Sequence, residues 1–137
     1  MPKDIKSIVI ASHNEGKVRE IRSLLDPYGY KIISAKKLGI NEPIENGMTF
    51  SENSLIKSRN AAKKSGLVAL ADDSGLCVNS LNYRPGIYSA RWAGKNKDFG
   101  MAMKKIQKLM EKNDLLSKYN RRAFFICSLS IYFPDGK

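Results

Sequence analysis

Three short stretches hold the residues best suited to chemistry. LADDSGL, residues 70 to 76, sets Asp72 and Asp73 side by side between apolar flanks. Adjacent carboxylates repel, and burying them costs free energy unless their charge is offset. In extended chain successive side chains point to opposite faces, so the two aspartates need not share one site. One can accept backbone N–H groups while the other faces a cleft. Mg²⁺ would offset the cleft-facing charge, since it takes oxygen ligands from one or two carboxylates plus phosphate oxygens. Such a metal can orient and activate an attacking water. The plainer alternative is an Asp-rich turn, and the apolar flanks count against it.

SHNEGK, residues 12 to 17, follows an apolar run and precedes a helical stripe at Val18, Ile21 and Leu25. A helix N-terminus presents unpaired N–H groups and a positive dipole end, which suits an anion. Ser12 and Asn14 can donate, Gly16 allows close backbone approach and Lys17 adds a full charge. The loop is not a Walker A motif, because the first glycine is missing and Val18 follows the lysine. A simple helix cap at Ser12 or Asn14 fits the spacing equally well. His13 is the single histidine and has no partner pattern. In TFSENSLIKS, residues 49 to 58, Asn53 and Lys57 share a helix face with Asn60. That face could reach a phosphate or could simply be solvated. In PGIYSARWAG, residues 85 to 94, Tyr88 and Trp92 read as core aromatics or stacking surfaces, with core or subunit contact favoured, and Arg91 as a further phosphate or carboxylate partner.

The elements that must position these residues follow from periodicity. Ile5 to Ala11 is a β-branched strand ahead of the SHNEGK loop, and Lys31 to Ala35 a second strand. Residues 39 to 48 form a loop dense in Gly, Pro and Asn. Thr49 and Glu52 have capping-box spacing, so a helix starts there and should stop at Gly66. Leu67 to Ala71 is a short strand feeding the acidic turn, and chain extends again from Leu76 to Val78. A Pro-Gly turn lies within Asn82 to Gly86. A helix over roughly Asp98 to Lys112 carries Phe99, Met103, Ile106 and Met110 on one stripe. From Ala123 to Phe133 every odd residue is apolar, the mark of a strand with a buried face. Asp135-Gly136 is a hairpin signal. The chain ends at Lys137 before a return strand, so it reads as a domain cut within its sheet.

The 137 residues suit one domain with one modest core. No apolar stretch is long enough to span a membrane and no signal-peptide pattern is present, so the expected compartment is the cytoplasm. Cys77 and Cys127 are far apart and read as two buried free thiols. The formal charge of +11 favours anionic partners, but the cations are scattered and lack the aromatic interleaving of a single-strand binding face. Nucleic acid is therefore not the expected partner.

Taken in order, ASHNEGKVREI, GMTFSENSLIKSRNAAKKSG, LADDSGLCVNSL and PGIYSARWAG resemble the inosine triphosphate pyrophosphatase family, from Ile8 to about Gly136. The resemblance implies an α/β fold with a mixed sheet and two lobes around a central cleft. It implies Mg²⁺-dependent hydrolysis of ITP, dITP and XTP to the monophosphate and pyrophosphate, usually by a homodimer. By motif, Ser12, His13, Asn14, Glu15, Gly16 and Lys17 would hold the triphosphate, with Lys57 a second phosphate contact and Ser74 touching substrate. Asp73 would bind metal and activate water, supported by Asp72. The family commonly has two adjacent glutamates before the capped helix, one of them a metal ligand. Here Ile44 stands at one position, leaving Glu45 as candidate ligand. Family members continue past residue 137 with further strands and the residues that read the base. The alternatives are a truncated, inactive remnant that still dimerises or binds phosphate compounds, a basic nucleic-acid-binding protein, and a related enzyme class of similar fold acting on other nucleotides, against which the DDSGL and SARWAG segments speak.

Overall fold

A computed structural model describes residues 6–113, 115 and 121–136. Ile5, at the start of the first expected strand, lies outside them. The elements in order are β1 (Ser7–Ile10), α1 (Glu15–Leu25), β2 (Lys31–Ser34), α2 (Phe50–Ser65), β3 (Val68–Val78), β4 (Arg84–Pro85), α3 (Ser89–Trp92), α4 (Phe99–Lys112) and β5 (Ala123–Tyr132). The sheet runs β2-β1-β3-β4, and β5 also pairs with β3. β1 is parallel to both β2 and β3, whereas β4 is antiparallel to β3, so the α/β sheet is mixed. The chain divides into two compact units, one of residues 1–72 and 128–137, the other of residues 73–127.

In the first unit β1 carries apolar side chains on both faces, as a central parallel strand should. Ile10 packs with Val18 of α1 and Ile32 of β2, joined by Ile21, Leu25 and Leu70. Val9 and Ala11 face the other way, onto Ala61 and Ala62 of α2, with Ala69 and Ala71 of β3. Position parity along β3 therefore assigns Leu70 to the side of α1 and Ala71 to the side of α2. α2 is capped as its sequence dictates: Thr49 Oγ1 accepts from Glu52 N at 3.1 Å, and Gly66 closes the helix at φ 73°. The Glu52 carboxylate reaches one residue further back than an ideal capping box, accepting from Met48 N at 2.6 Å.

The second unit has its own small cluster of Val78, Leu81 and Met110, with Leu76, Ile106 and Leu109 against it. The apolar stripe expected on α4 is split: Met110 is buried and Ile106 half-buried, but Phe99 and Met103 are exposed. Ala102 takes the buried position in the helix's first half, being small enough to pack closely. Asp98 caps α4 through Met101 N.

Two further expectations change. The acidic stretch is not a turn: β3 runs unbroken through Asp72, Asp73 and Ser74, because its first residues pair with β1 and its last with β4. In β5 the period of two is present but the faces are reversed. The odd, apolar residues are the exposed ones, with Phe125 79%, Leu129 65% and Ile131 57% exposed. The half-buried partners are the even residues from 126 to 132, where serines meet hydroxyls of α2: Ser51 with Ser128 at 3.1 Å, Ser54 with Ser130 at 2.9 Å and Ser58 with Ser130 at 2.8 Å. Hydroxyls and alanines give α2 a thin face that lets a strand lie close against it. The turn after β5 forms as its Asp-Gly pair dictates, with Gly136 N donating to Phe133 O at 2.9 Å. Cys127 is exposed rather than buried, since it stands on the odd face of β5.

Candidate active site

The site is built where β1 ends beside the continuing β3 and α1 begins. Asn14 caps α1, its Oδ1 accepting from Lys17 N at 3.2 Å, while Ser12 Oγ accepts from Asn14 N at 3.1 Å. Both polar side chains thus shape the loop, which is the capping alternative left open by spacing. Gly16 keeps the loop tight, since a Cβ there would stand 3.3 Å from Asn14 Oδ1. Glu15 points away into solvent and pairs with Lys36 at 3.6 Å. His13 Nε2 lies 2.8 Å from Ile40 O, so the histidine ties this loop to the chain after β2.

Lys17 sends its ammonium to Asp72, with Nζ 2.8 Å from Oδ2. Parity along β3 explains the contact: Asp72 follows Leu70 on the side facing α1. Asp72 is only 5% exposed, and an ionised carboxylate at that depth requires a counter-charge. The cation beside it here is the lysine. Lys17 is therefore not simply a projecting phosphate hand; one end of its charge is already committed to holding Asp72. Asp73, by alternation, emerges on the opposite side of the strand, and its Oδ2 atom is buried. Ser74 is exposed.

The polar face of α2 has a role that its spacing alone did not settle. Asn53 is fully buried, and its Oδ1 accepts from Gly47 N at 2.8 Å. Lys57 Nζ stands 3.4 Å from Glu45 Oε1, and Asn60 Nδ2 donates to Asn41 O at 3.3 Å. The three side chains at i, i+4 and i+7 together clasp the irregular segment 41–47 and hold Glu45 in place. This face is neither plain solvated surface nor a bare phosphate contact. Spacing singles out Asn53 but not its partner Gly47, though a signal exists: a glycine six residues ahead of an asparagine on the first turn of a capped helix. A Cβ at Gly47 would come within 2.7 Å of Asn53 Oδ1 and 2.8 Å of Glu52 Cβ, so only glycine fits. Ile44, beside Glu45, is exposed.

In the second unit Ser89 Oγ accepts from Leu76 N at 3.0 Å and donates to Gly86 O at 2.7 Å, anchoring the short helix α3 to β3. Tyr88 and Trp92 are not core residues. Arg91 lies over the Tyr88 ring at 5.0 Å and Lys105 over the Trp92 ring at 4.3 Å. Burial pushes the Cys77 thiol above its ordinary pKa. Among the described residues no three His, Cys, Asp or Glu side chains cluster as a ready metal cage. No helix among them is long and apolar enough to cross a membrane.

Comparisons with known proteins place the chain in a family. The chain is 55% identical over 130 residues to the dITP/XTP pyrophosphatase of Zymomonas mobilis and 50% identical over 129 residues to that of Rhodopseudomonas palustris. In each case 94% of this chain is matched, and it spans 61% of the relative's length. A Ham1 protein from Coxiella burnetii superposes with a TM-score of 0.82 at 40% identity, over 91% of this chain and 62% of that one. The Ham1 protein of Staphylococcus aureus gives 0.78 at 41% identity, over 96% of this chain and 66% of that one. The model of the Ham1 family matches residues 8–137. With that match spanning almost the whole sequence, and with the mixed sheet superposing on solved members, this chain belongs to the Ham1 family, that of the inosine triphosphate pyrophosphatases.

Proposed function

We propose that the chain carries the phosphate-handling part of a nucleoside triphosphate pyrophosphatase acting on non-standard purine nucleotides such as dITP, XTP and ITP. The observation that carries this reading is the 2.8 Å contact between Lys17 and Asp72, which joins the loop after β1 to the acidic stretch of β3. Relatives 55% and 50% identical are named dITP/XTP pyrophosphatases, which supports the substrate class.

In this reading water attacks the α-phosphorus, the bond to the bridging oxygen breaks, and pyrophosphate leaves with the nucleoside monophosphate as the other product. The protein does little covalent work in such a transfer; positioning and charge neutralisation dominate. Lys17 and the Asn14-capped N-terminus of α1 bind the triphosphate, with Ser12, His13, Glu15 and Gly16 shaping that loop. Lys57 supplies a second cation, and Ser74 contacts substrate. Asp73 accepts the proton of the attacking water, and Asp72 fixes the direction of the Lys17 ammonium. The donor chemistry fits Mg²⁺: hard carboxylate oxygens are available from Asp73 and Glu45, and this ion needs only one or two from protein when phosphate oxygens supply others. Bound there, it would neutralise phosphate charge and lower the pKa of a coordinated water. The working unit is proposed as a homodimer in the cytoplasm.

Pyrophosphate release with dITP, XTP, ITP, GTP and ATP in Mg²⁺ tests the proposal. Release from the first three, lost in Asp73→Asn with an unchanged circular dichroism spectrum, is the expected outcome. Wild-type turnover in Asp73→Asn would overturn the assignment. Release from none of the nucleotides by folded protein would favour a phosphate-binding protein without catalysis.

A further inference from the structure

We propose that His13 is a proton-dependent phosphate ligand: its ring takes up a proton at Nδ1 when the triphosphate binds. The proposal rests on the assignment of residues 12–17 to phosphate and adds a role for one atom within that loop. His13 is the single histidine of the chain. Its Nε2 lies 2.8 Å from Ile40 O. A carbonyl oxygen only accepts, so Nε2 carries a hydrogen. In the neutral ring the other nitrogen, Nδ1, is then a bare acceptor. Among the described residues nothing hydrogen-bonds to Nδ1. The brace is firm, because Ile40 belongs to the core of the first unit and its own N donates to Ala35 O at 3.0 Å.

The ring lines two hollows. One, of about 460 Å³, opens on the loop itself through Ser12 and His13. Its charged groups are Glu15, Arg19 and Arg22 of α1, with Lys36 and Lys37 after β2. The other is a small crevice whose charged groups are Glu42 of the irregular segment and Lys57 of α2. Five cations thus stand around the ring against two carboxylates, and Glu15 is already paired with Lys36 at 3.6 Å. Such surroundings collect a polyanion. Ionised phosphate oxygens accept hydrogen bonds and have none to give. A bare Nδ1 lone pair turned to them repels, whereas Nδ1–H bonds them with charge assistance. Phosphate in the larger hollow therefore favours the imidazolium, whose Nε2–H still donates to Ile40 O. The proton comes from solvent. Histidine is the side chain that changes charge between about pH 5 and 8, so affinity for the triphosphate rises as pH falls through that range.

A lone histidine makes the test direct. The ring Cε1–H resonance of the untagged wild-type chain is followed against pH by NMR, with and without inorganic triphosphate. Triphosphate should raise the ring's titration midpoint by at least about half a pH unit. His13→Gln supplies the comparison: its amide N–H can keep the brace to Ile40 O, but the titrating nitrogen is gone. Calorimetry in two buffers of different ionisation enthalpy counts the protons taken up on binding, and the wild type should take up more than His13→Gln. Between about pH 8 and pH 6 its affinity should rise at least about threefold more than that of the variant. A histidine that only braces the loop would leave midpoint and proton count unmoved. An unmoved or lowered midpoint, with triphosphate shifting the amides of residues 12–17, would overturn the role of His13 alone. Triphosphate that leaves those amides unshifted would overturn it together with the phosphate assignment of the loop. The wild-type titration decides the matter even if His13→Gln fails to fold.

Discussion

Asp72 and Lys17 form a partly buried pair in which the two ends are unequal. The aspartate is almost wholly enclosed, whereas the lysine side chain keeps 32% of its exposure. Removing the lysine alone leaves a carboxylate in a low-dielectric setting, while removing both charges does not. Lys17→Met is therefore expected to lower stability by about 1–3 kcal/mol, discounted from a fully buried pair for the lysine's solvent contact. Lys17→Met/Asp72→Leu should recover most of that loss. Urea denaturation of the two variants checks it, and equal loss in both would mean that packing rather than charge holds the contact. Activity should fail in both, since the proposed triphosphate cation is gone. Stability and function thus separate cleanly at one pair.

The segment 41–47 has no regular structure of its own, so its shape is set by α2. Three polar side chains one helical turn apart hold it, and Gly47 supplies the space that Asn53 needs. Gly47→Ala should cost about 1–3 kcal/mol as an overpacked contact with nowhere to relax. Asn53→Ala should cost a similar amount, about 1–3 kcal/mol, by leaving Gly47 N–H without its buried acceptor. Both should also impair the proposed pyrophosphate release, because Glu45 is carried by the same segment. Thermal unfolding together with the release assay checks this. A variant that loses stability but keeps full turnover would show that Glu45 has no part in the reaction.

β5 displays the feature with the widest consequence. Phe125, Leu129 and Ile131 stand on its exposed side, so an apolar strip faces water in this chain. Such a strip favours contact with other apolar surface. We expect concentration-dependent association in sedimentation velocity, reduced by Phe125→Ser/Leu129→Ser. Exposed positions contribute little to folding, so the unfolding midpoint should move by less than about 0.5 kcal/mol equivalent. A double variant that unfolds far earlier would show that the strip packs within the fold. The curated relatives extend well beyond the length matched here, with this chain spanning 61% of those from Zymomonas mobilis and Rhodopseudomonas palustris.

Local signals in the sequence are legible because their physics is local. Thr49 with Glu52, Gly66, Asp98 and the β-branched run of β1 act within a turn or two of chain, so caps, stops and strands could be placed from spacing. The ordered motifs likewise sufficed to name the family. Tertiary structure decided the rest, because partners came from residues distant in sequence. Asp72 meets a lysine 55 positions away, and Asn53 turns inward only because segment 41–47 folds back over its helix. The inverted faces of β5 carry the same lesson. Period two reveals that a strand has two kinds of face, yet which one is covered depends on what packs there, and serines of α2 claimed the polar side.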